Sequence, residues 1–155
     1  MSAAVYVDYV EAAVAGYAED NVASGRWPAE GALARSRADF DASLPQGLES
    51  PDNHLFEIRA AGTGLTVGSI WFAVREEHGL RTAFVYDVEV RPEYRRQGYA
   101  TAAFQALEPL VRDLGLTSIG LHVFGHNTGA QALYGKLGYE VTGVNMQKGL
   151  EGGSG

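Results

Sequence analysis

Between Val88 and Ala100 an apolar strand must hand over to a helix through a basic, glycine-bearing turn, and this junction constrains the chain more than any other segment. It reads Val88-Glu89-Val90-Arg91-Pro92-Glu93-Tyr94-Arg95-Arg96-Gln97-Gly98-Tyr99-Ala100. Pro92 marks the turn, since its ring fixes φ and removes a ladder donor. A helix that starts at such a point leaves its first backbone N–H groups without partners and carries partial positive charge there. That makes the junction a ready site for phosphate groups. Arg95 and Arg96 add full charge, and Gly98 lets a ligand approach the backbone closely.

A second segment follows the first at a fixed distance: Asn127-Thr128-Gly129-Ala130-Gln131-Ala132-Leu133-Tyr134-Gly135-Lys136-Leu137-Gly138-Tyr139. The pair resembles the GNAT family of N-acetyltransferases, whose patterns are Gln/Arg-x-x-Gly-x-Gly/Ala and Asn-x-x-Ala-x-x-Leu-Tyr-x-Lys-Leu-Gly-Phe/Tyr. Arg95, Gly98 and Ala100 match the first, and every position of the second is met. Together the matches cover roughly residues 84–148. The resemblance implies acetyl-coenzyme A as cosubstrate. Its diphosphate would lie on the loop Arg95, Arg96, Gln97, Gly98, Tyr99, Ala100 and Thr101, and its pantetheine arm on the backbone of Val88, Glu89 and Val90. Asn127 would contact the pantetheine, and the Tyr134 hydroxyl would lie near the thioester sulfur. The resemblance also implies that the strands near 81–90 and 118–124 run parallel and splay apart to admit the arm. Two bland alternatives stand beside these roles: turn geometry for Gly98 and helix capping for Asn127.

A chain of 155 residues suits one domain, here placed at 1–150, with Glu151 to Gly155 as a disordered tail or an expression scar. No run approaches the length of a membrane span and no basic-then-apolar leader is evident, so a cytoplasmic location is the default. The absence of cysteine excludes disulfides, thiolate metal sites and a cysteine nucleophile. His54, His78 and His126 lack ligand-like spacing, so no metal site is expected. A net charge of -7 argues against nucleic acid as a partner, and no membrane partner is expected. Residues 1–84 hold six basic and twelve acidic side chains, against six and seven in residues 85–155. The resemblance implies that the N-terminal helices help form the acceptor site, and an acidic acceptor face would favour a cationic amine, although ordinary surface solubility accounts for the same acidity. The sequence leaves the oligomeric state open, a homodimer among the options.

The periodicity predicts an α+β chain: a mixed, mostly antiparallel sheet with helices on both faces. Asp8 and Glu11 form a capping-box pattern at the start of a first helix that ends at Gly25. A second helix starts near Pro28, with Leu33, Arg37, Phe40 and Leu44 on one stripe. Strands are predicted over 55–60, 65–74 and 81–90, with turns at Gly62-Thr63-Gly64 and Glu76-Glu77-His78-Gly79 and a bulge at Gly68. A helix over 100–114 with a kink at Pro109, a strand over 118–124, a helix over 128–137 and a last strand over 139–148 complete the chain.

Acetyl transfer to an amine requires a held thioester, a polarised carbonyl, a deprotonated ammonium and a protonated leaving thiolate. Tyr134 is the candidate general acid, with a core tyrosine as the alternative. His122 and Glu89 are candidate bases. Asp87 shares a strand face with Glu89 if no bulge separates them, and is a candidate for binding a cationic acceptor or for taking its proton. A water chain can replace any of these. Direct attack in a ternary complex is expected. A noncatalytic acyl-coenzyme A-binding module, or an interaction domain with no cofactor, is compatible with the same composition.

Overall fold

The computed structural model describes residues 1–150; the expected tail at 151–155 lies outside them. Its elements are α1 (Ala3–Ala23), α2 (Ala32–Ser43), β1 (Asn53–Arg59), β2 (Thr66–Glu77), β3 (Leu80–Val90), α3 (Tyr99–Asp113), β4 (Ile119–Leu121) and α4 (Thr128–Lys136). The strands form one sheet in the order β1-β2-β3-β4. β1, β2 and β3 pair antiparallel, and β4 pairs parallel to β3. The β2–β3 hairpin turns on His78 and Gly79, with φ of 55° and 80°, the pair of left-handed residues that a tight hairpin needs.

The sheet separates two apolar clusters. On one face Ile70 and Phe72 of β2 and Ala83 and Val85 of β3 pack with Phe104, Leu107 and Val111 of α3. Only α3 has a sharply one-sided apolar stripe, which suits a helix lying on a sheet. On the other face Trp71 of β2 and Leu55 of β1 pack with Tyr9 and Val14 of α1 and Phe40 of α2. Alternation along β2 produces both faces at once, since Ile70 and Phe72 point one way and Trp71 the other. The Ser36 hydroxyl, fully buried, donates to the Val14 carbonyl at 2.7 Å and ties α2 to α1.

Two irregularities in the sheet position the site. At the first, Ile58 pairs with Gly68 and Arg59 with Thr66, so Val67 is an extra residue beside the expected bulge position Gly68. A Cβ on Gly68 would run into the Glu89 carbonyl, so glycine there permits β2 to close on β3. At the second, Trp71 pairs with Asp87 and Phe72 with Val85, leaving Tyr86 as an extra residue on β3. Ala83 and Val85 face α3, and unbroken alternation would send Asp87 the same way. The bulge reverses the parity: Val88 and Val90 join the α3 cluster, while Asp87 turns to α1. β4 pairs with β3 only from Ala83↔Ile119 to Val85↔Leu121. Beyond that point the strands part, and among the described residues no strand lies beside the edge of β3 from Tyr86 to Val90 that faces away from β2.

Several expectations need correction. The first helix starts at Ser2, whose hydroxyl accepts from the Val5 N–H at 3.2 Å, not at Asp8. Ala3 to Val7 continue the helix upstream, so Asp8 and Glu11 lie within it and Glu11 instead pairs with Arg37 at 2.7 Å. The second helix begins at Ala32 after a left-handed Gly31, four residues beyond Pro28. Its buried stripe is Ala32, Ser36 and Phe40, which leaves Leu33 59% exposed and Arg37 on the surface. The predicted strand 118–124 shrinks to three residues, and His122 lies past its end. The predicted strand 139–148 is absent among the described residues. Its residues alternate suitably, but a strand exists only where a neighbour offers a ladder, and a groove of about 670 Å³ separates Gly138 to Thr142 from Ile119, Gly120 and Leu121. As expected from the sequence, helix α3 runs through Pro109 without a break.

Candidate active site

The β3–α3 junction forms as its sequence requires. Pro92–Tyr94 make a single tight turn, Arg96 adopts a left-handed φ of 62° and Gly98 one of 81°. Gly98 is the N-cap of α3, so no side chain caps the helix, and no acidic residue lies in its first turn. The N–H groups of Tyr99, Ala100 and Thr101 are therefore left for a ligand. No protein atom lies within 4 Å of a Cβ built on Gly98, so its glycine requirement comes from backbone conformation and not from crowding. Arg95 is engaged elsewhere: its Nε donates to the Val90 carbonyl at 2.9 Å and its guanidinium pairs with Glu89 at 2.8 Å. Arg96 and Gln97 are exposed on the loop.

Asn127 is the N-cap of α4, and its side-chain oxygen accepts from the Ala130 N–H at 3.1 Å. The cap uses that oxygen and leaves the amide NH2 for other partners. Tyr134 stands on α4 with its ring edge-on to Phe104, at 5.5 Å between centroids. Its hydroxyl pKa lies above the usual tyrosine value, chiefly through burial and secondly through the charge of Asp87. Tyr134 thus stays protonated at neutral pH and lies within electrostatic reach of Asp87. These two residues belong to opposite faces of the sheet. The charge of Asp87 is nevertheless felt at the Tyr134 hydroxyl, on the side where β3 and β4 part.

Asp87 is the most perturbed carboxylate. Burial pushes its pKa up to about 6, and the nearby charges of Glu89 and Asp20 add to the rise. A hydrogen bond from Tyr9 opposes them: the Tyr9 hydroxyl donates to Asp87 Oδ2 at 2.7 Å. Glu89 lies on the same side of β3 but is exposed and paired with Arg95. His122 is held below its usual pKa by burial and by Arg26, and its ring meets Phe124 edge-on. His126 reaches across to Asp20 of α1 at 3.3 Å. Beside the cleft left where β3 and β4 part, this contact links the loop after β4 to α1.

No sequence motif points to Tyr9 or Asp20. Both sit on α1, far along the chain from the residues they touch, and no local spacing signals such contacts. Among the described residues no cluster of three His, Asp or Glu side chains is arranged to hold a metal. No helix among them is long and apolar enough to cross a membrane.

The sequence profile of the Acetyltransferase (GNAT) family matches residues 14–139. The chain belongs to this family. GNAT enzymes use acetyl-coenzyme A as cosubstrate. Among relatives, the chain is 39% identical to the uncharacterized N-acetyltransferase YycN of Bacillus subtilis (strain 168) over 134 residues, 86% of this chain and 85% of that one. It is 34% identical to the uncharacterized N-acetyltransferase YdgE of the same organism, over 88% of this chain and 87% of that one. The crystal structure of YycN, described as a putative acetyltransferase, superposes with a TM-score of 0.91 over 97% of this chain and 95% of that one, at 36% identity. The GNAT fold accounts for the mixed sheet, the flanking helices and the divergence of β3 from β4.

Proposed function

We propose that this protein transfers the acetyl group of acetyl-coenzyme A to a primary amine on a small molecule or peptide, by direct attack in a ternary complex, and that the acceptor is cationic. The observation that carries the reading is the convergence of three features at the parted strands: an uncapped helix N-terminus, a protonated tyrosine and an enclosed carboxylate. The diphosphate fits the amides of Tyr99, Ala100 and Thr101 with Arg96 and Gln97 beside them. The pantetheine arm fits the unpaired edge of β3 along Val88, Glu89 and Val90, with the Asn127 amide NH2 opposite.

The chemistry follows from the proton affinities. Asp87 takes a proton from the acceptor ammonium, and the neutral amine attacks the thioester carbon. The C–N bond forms and the C–S bond breaks; the departing thiolate takes the Tyr134 proton, the second proton shed by the new amide nitrogen returns to the Tyr134 oxygen, and Asp87 releases its proton to solvent. Asp87 suits the base role better than His122 or Glu89. Glu89 is already paired with Arg95, and burial together with the nearby cation Arg26 lowers the proton affinity of His122. With a pKa near 6, Asp87 is ionised at neutral pH yet basic enough to accept a proton in the transition state.

The acceptor class is tested by competition. Asp20 and Glu89 stand close enough to Asp87 to raise its pKa, so the three gather negative charge around it. Polyamines or basic peptides should therefore outcompete neutral amines as acetyl acceptors, and the preference should shrink as salt rises toward 1 M. A preference for amines that carry carboxylates overturns the cationic assignment.

The acid is tested by Tyr134→Phe, which keeps the ring against Phe104 and deletes the hydroxyl. We expect kcat to fall by about 10²-fold, the low end of the range for acid–base catalysis, because a coenzyme A thiolate is itself a tolerable leaving group. Acetyl-coenzyme A affinity should change little. A kcat within about twofold of the parent with chemistry rate-limiting leaves Tyr134 as a packing residue.

A further inference from the structure

Tyr9 is an unusual residue to find in the wall of this cleft. Its side chain is buried in the cluster formed by Val14, Phe40 and Trp71, yet its hydroxyl reaches out of that cluster to Asp87 Oδ2 at 2.7 Å. A buried tyrosine needs a partner for its hydroxyl, but a backbone carbonyl would serve for stability alone. Here the partner is a carboxylate, and the short contact is charge-assisted. The bulge at Tyr86 is what turns Asp87 toward it. The contact thus spans 78 residues of sequence and joins a helix of the acceptor wall to the strand that borders the cosubstrate edge.

We propose that Tyr9 is a positioning residue for acetyl transfer: its hydroxyl holds one oxygen of Asp87 and keeps the carboxylate aimed and ionised for the acceptor's proton. This rests on the reading of Asp87 as the base. The groups facing Asp87 are Tyr9 and Asp20 from α1, Glu89 on its own strand and Tyr134 from α4, with the Val88 amide beside it and His126 paired to Asp20. Glu89 and Asp20 disfavour a second negative charge, and Tyr9 and the Val88 amide favour it. Tyr9 is the only one of these that donates from a side chain to the carboxylate among the described residues. Its own pKa lies well above the usual tyrosine value, mainly through burial, so the hydroxyl keeps its proton and remains a donor throughout. No proton is transferred from Tyr9. It stabilises the carboxylate before the amine arrives and weakens its hold once Asp87 is protonated.

The test is the pH profile of kcat/KM. The parent should lose activity as pH falls through about 6, where Asp87 protonates. Tyr9→Phe keeps the ring in its cluster and removes the donor, so the acidic limb should move up by about one pH unit. At pH 6 the variant should be about fivefold slower, and above pH 8 it should return to within about twofold of the parent. Replacing Tyr9 by 2,3-difluorotyrosine, whose hydroxyl is the stronger donor, should move the limb the other way. A limb that stays in place in both variants, or a rate lowered equally at every pH, overturns the positioning role and leaves Tyr9 as an anchor between α1 and the sheet. Asp87→Asn separates this from failure of the underlying reading. If that variant loses the limb and most of its rate while the Tyr9 variants do not shift, only the role of Tyr9 fails. If Asp87→Asn turns over like the parent, the base assignment fails and the role of Tyr9 with it.

Discussion

Gly98→Glu is expected to abolish the rise in Tm that acetyl-coenzyme A produces. In the parent, ligand at 100 times its Kd should stabilise the fold by about 2.7 kcal/mol, or about 5 to 10 °C for a chain of this size. Gly98 has a φ of 81°, where any other side chain is strained by about 1 to 2 kcal/mol. That strain lowers the Tm of the free protein modestly. The larger effect is chemical, because the new carboxylate would occupy the uncapped N-terminus of α3 in place of the diphosphate. Gly98→Ala is the control: it carries the same backbone strain without the charge and should retain much of the ligand shift. An undiminished shift in Gly98→Glu removes the loop from the binding site.

The second large effect concerns Asp87→Asn, which should lose about 10²- to 10⁴-fold in kcat/KM while becoming more stable at neutral pH. The sign follows from the direction of the pKa shift. Asp87 has a folded pKa of about 6 against an ordinary 3.8, so the fold prefers the protonated group. The stability this contributes is fully present below about pH 3.8 and is lost as pH rises through about 6. The loss amounts to roughly 3 kcal/mol by pH 7.5. Asparagine imitates the neutral acid in shape and still offers an oxygen to Tyr9. Its Tm should therefore exceed the parent's at pH 7.5 and converge with it near pH 4. A Tm difference that does not vary with pH would mean that Asp87 is not held in a charge-disfavouring site. Activity gained at the expense of stability is the expected cost of enclosing a carboxylate at a reaction centre.

These residues also mark where sequence reasoning succeeds and where it stops. The helix starts in the segments 88–101 and 127–137 were legible because their backbone conformation is decided locally. A glycine that caps a helix in the left-handed region, and an asparagine that caps the next helix, act within a few residues of themselves. The turn at His78-Gly79 was legible for the same reason. The start of α1 was misplaced because Asp8 and Glu11 satisfy a capping pattern that is equally at home inside a long alanine-rich helix. The strand expected at 139–148 fails because its neighbour β4 is three residues long and stands across a groove. The pair Tyr9–Asp87 was invisible for a different reason. Which face Asp87 takes depends on one extra residue in β3, and the helix it meets lies 78 residues away. Of the acidic residues in the N-terminal half, Asp20 of α1 lies near enough to Asp87 to raise its pKa, while Glu11 pairs with Arg37 on the surface.

The most direct test of the account is the release of free coenzyme A thiol from acetyl-coenzyme A in the presence of a panel of cationic and neutral amines. The account predicts amine-dependent release, matched one for one by N-acetylated product, fastest with a cationic primary amine and nearly lost in Asp87→Asn. Tight binding of acetyl-coenzyme A with no amine-dependent thiol release across the panel would contradict it and leave an acyl-coenzyme A-binding module in place of an enzyme.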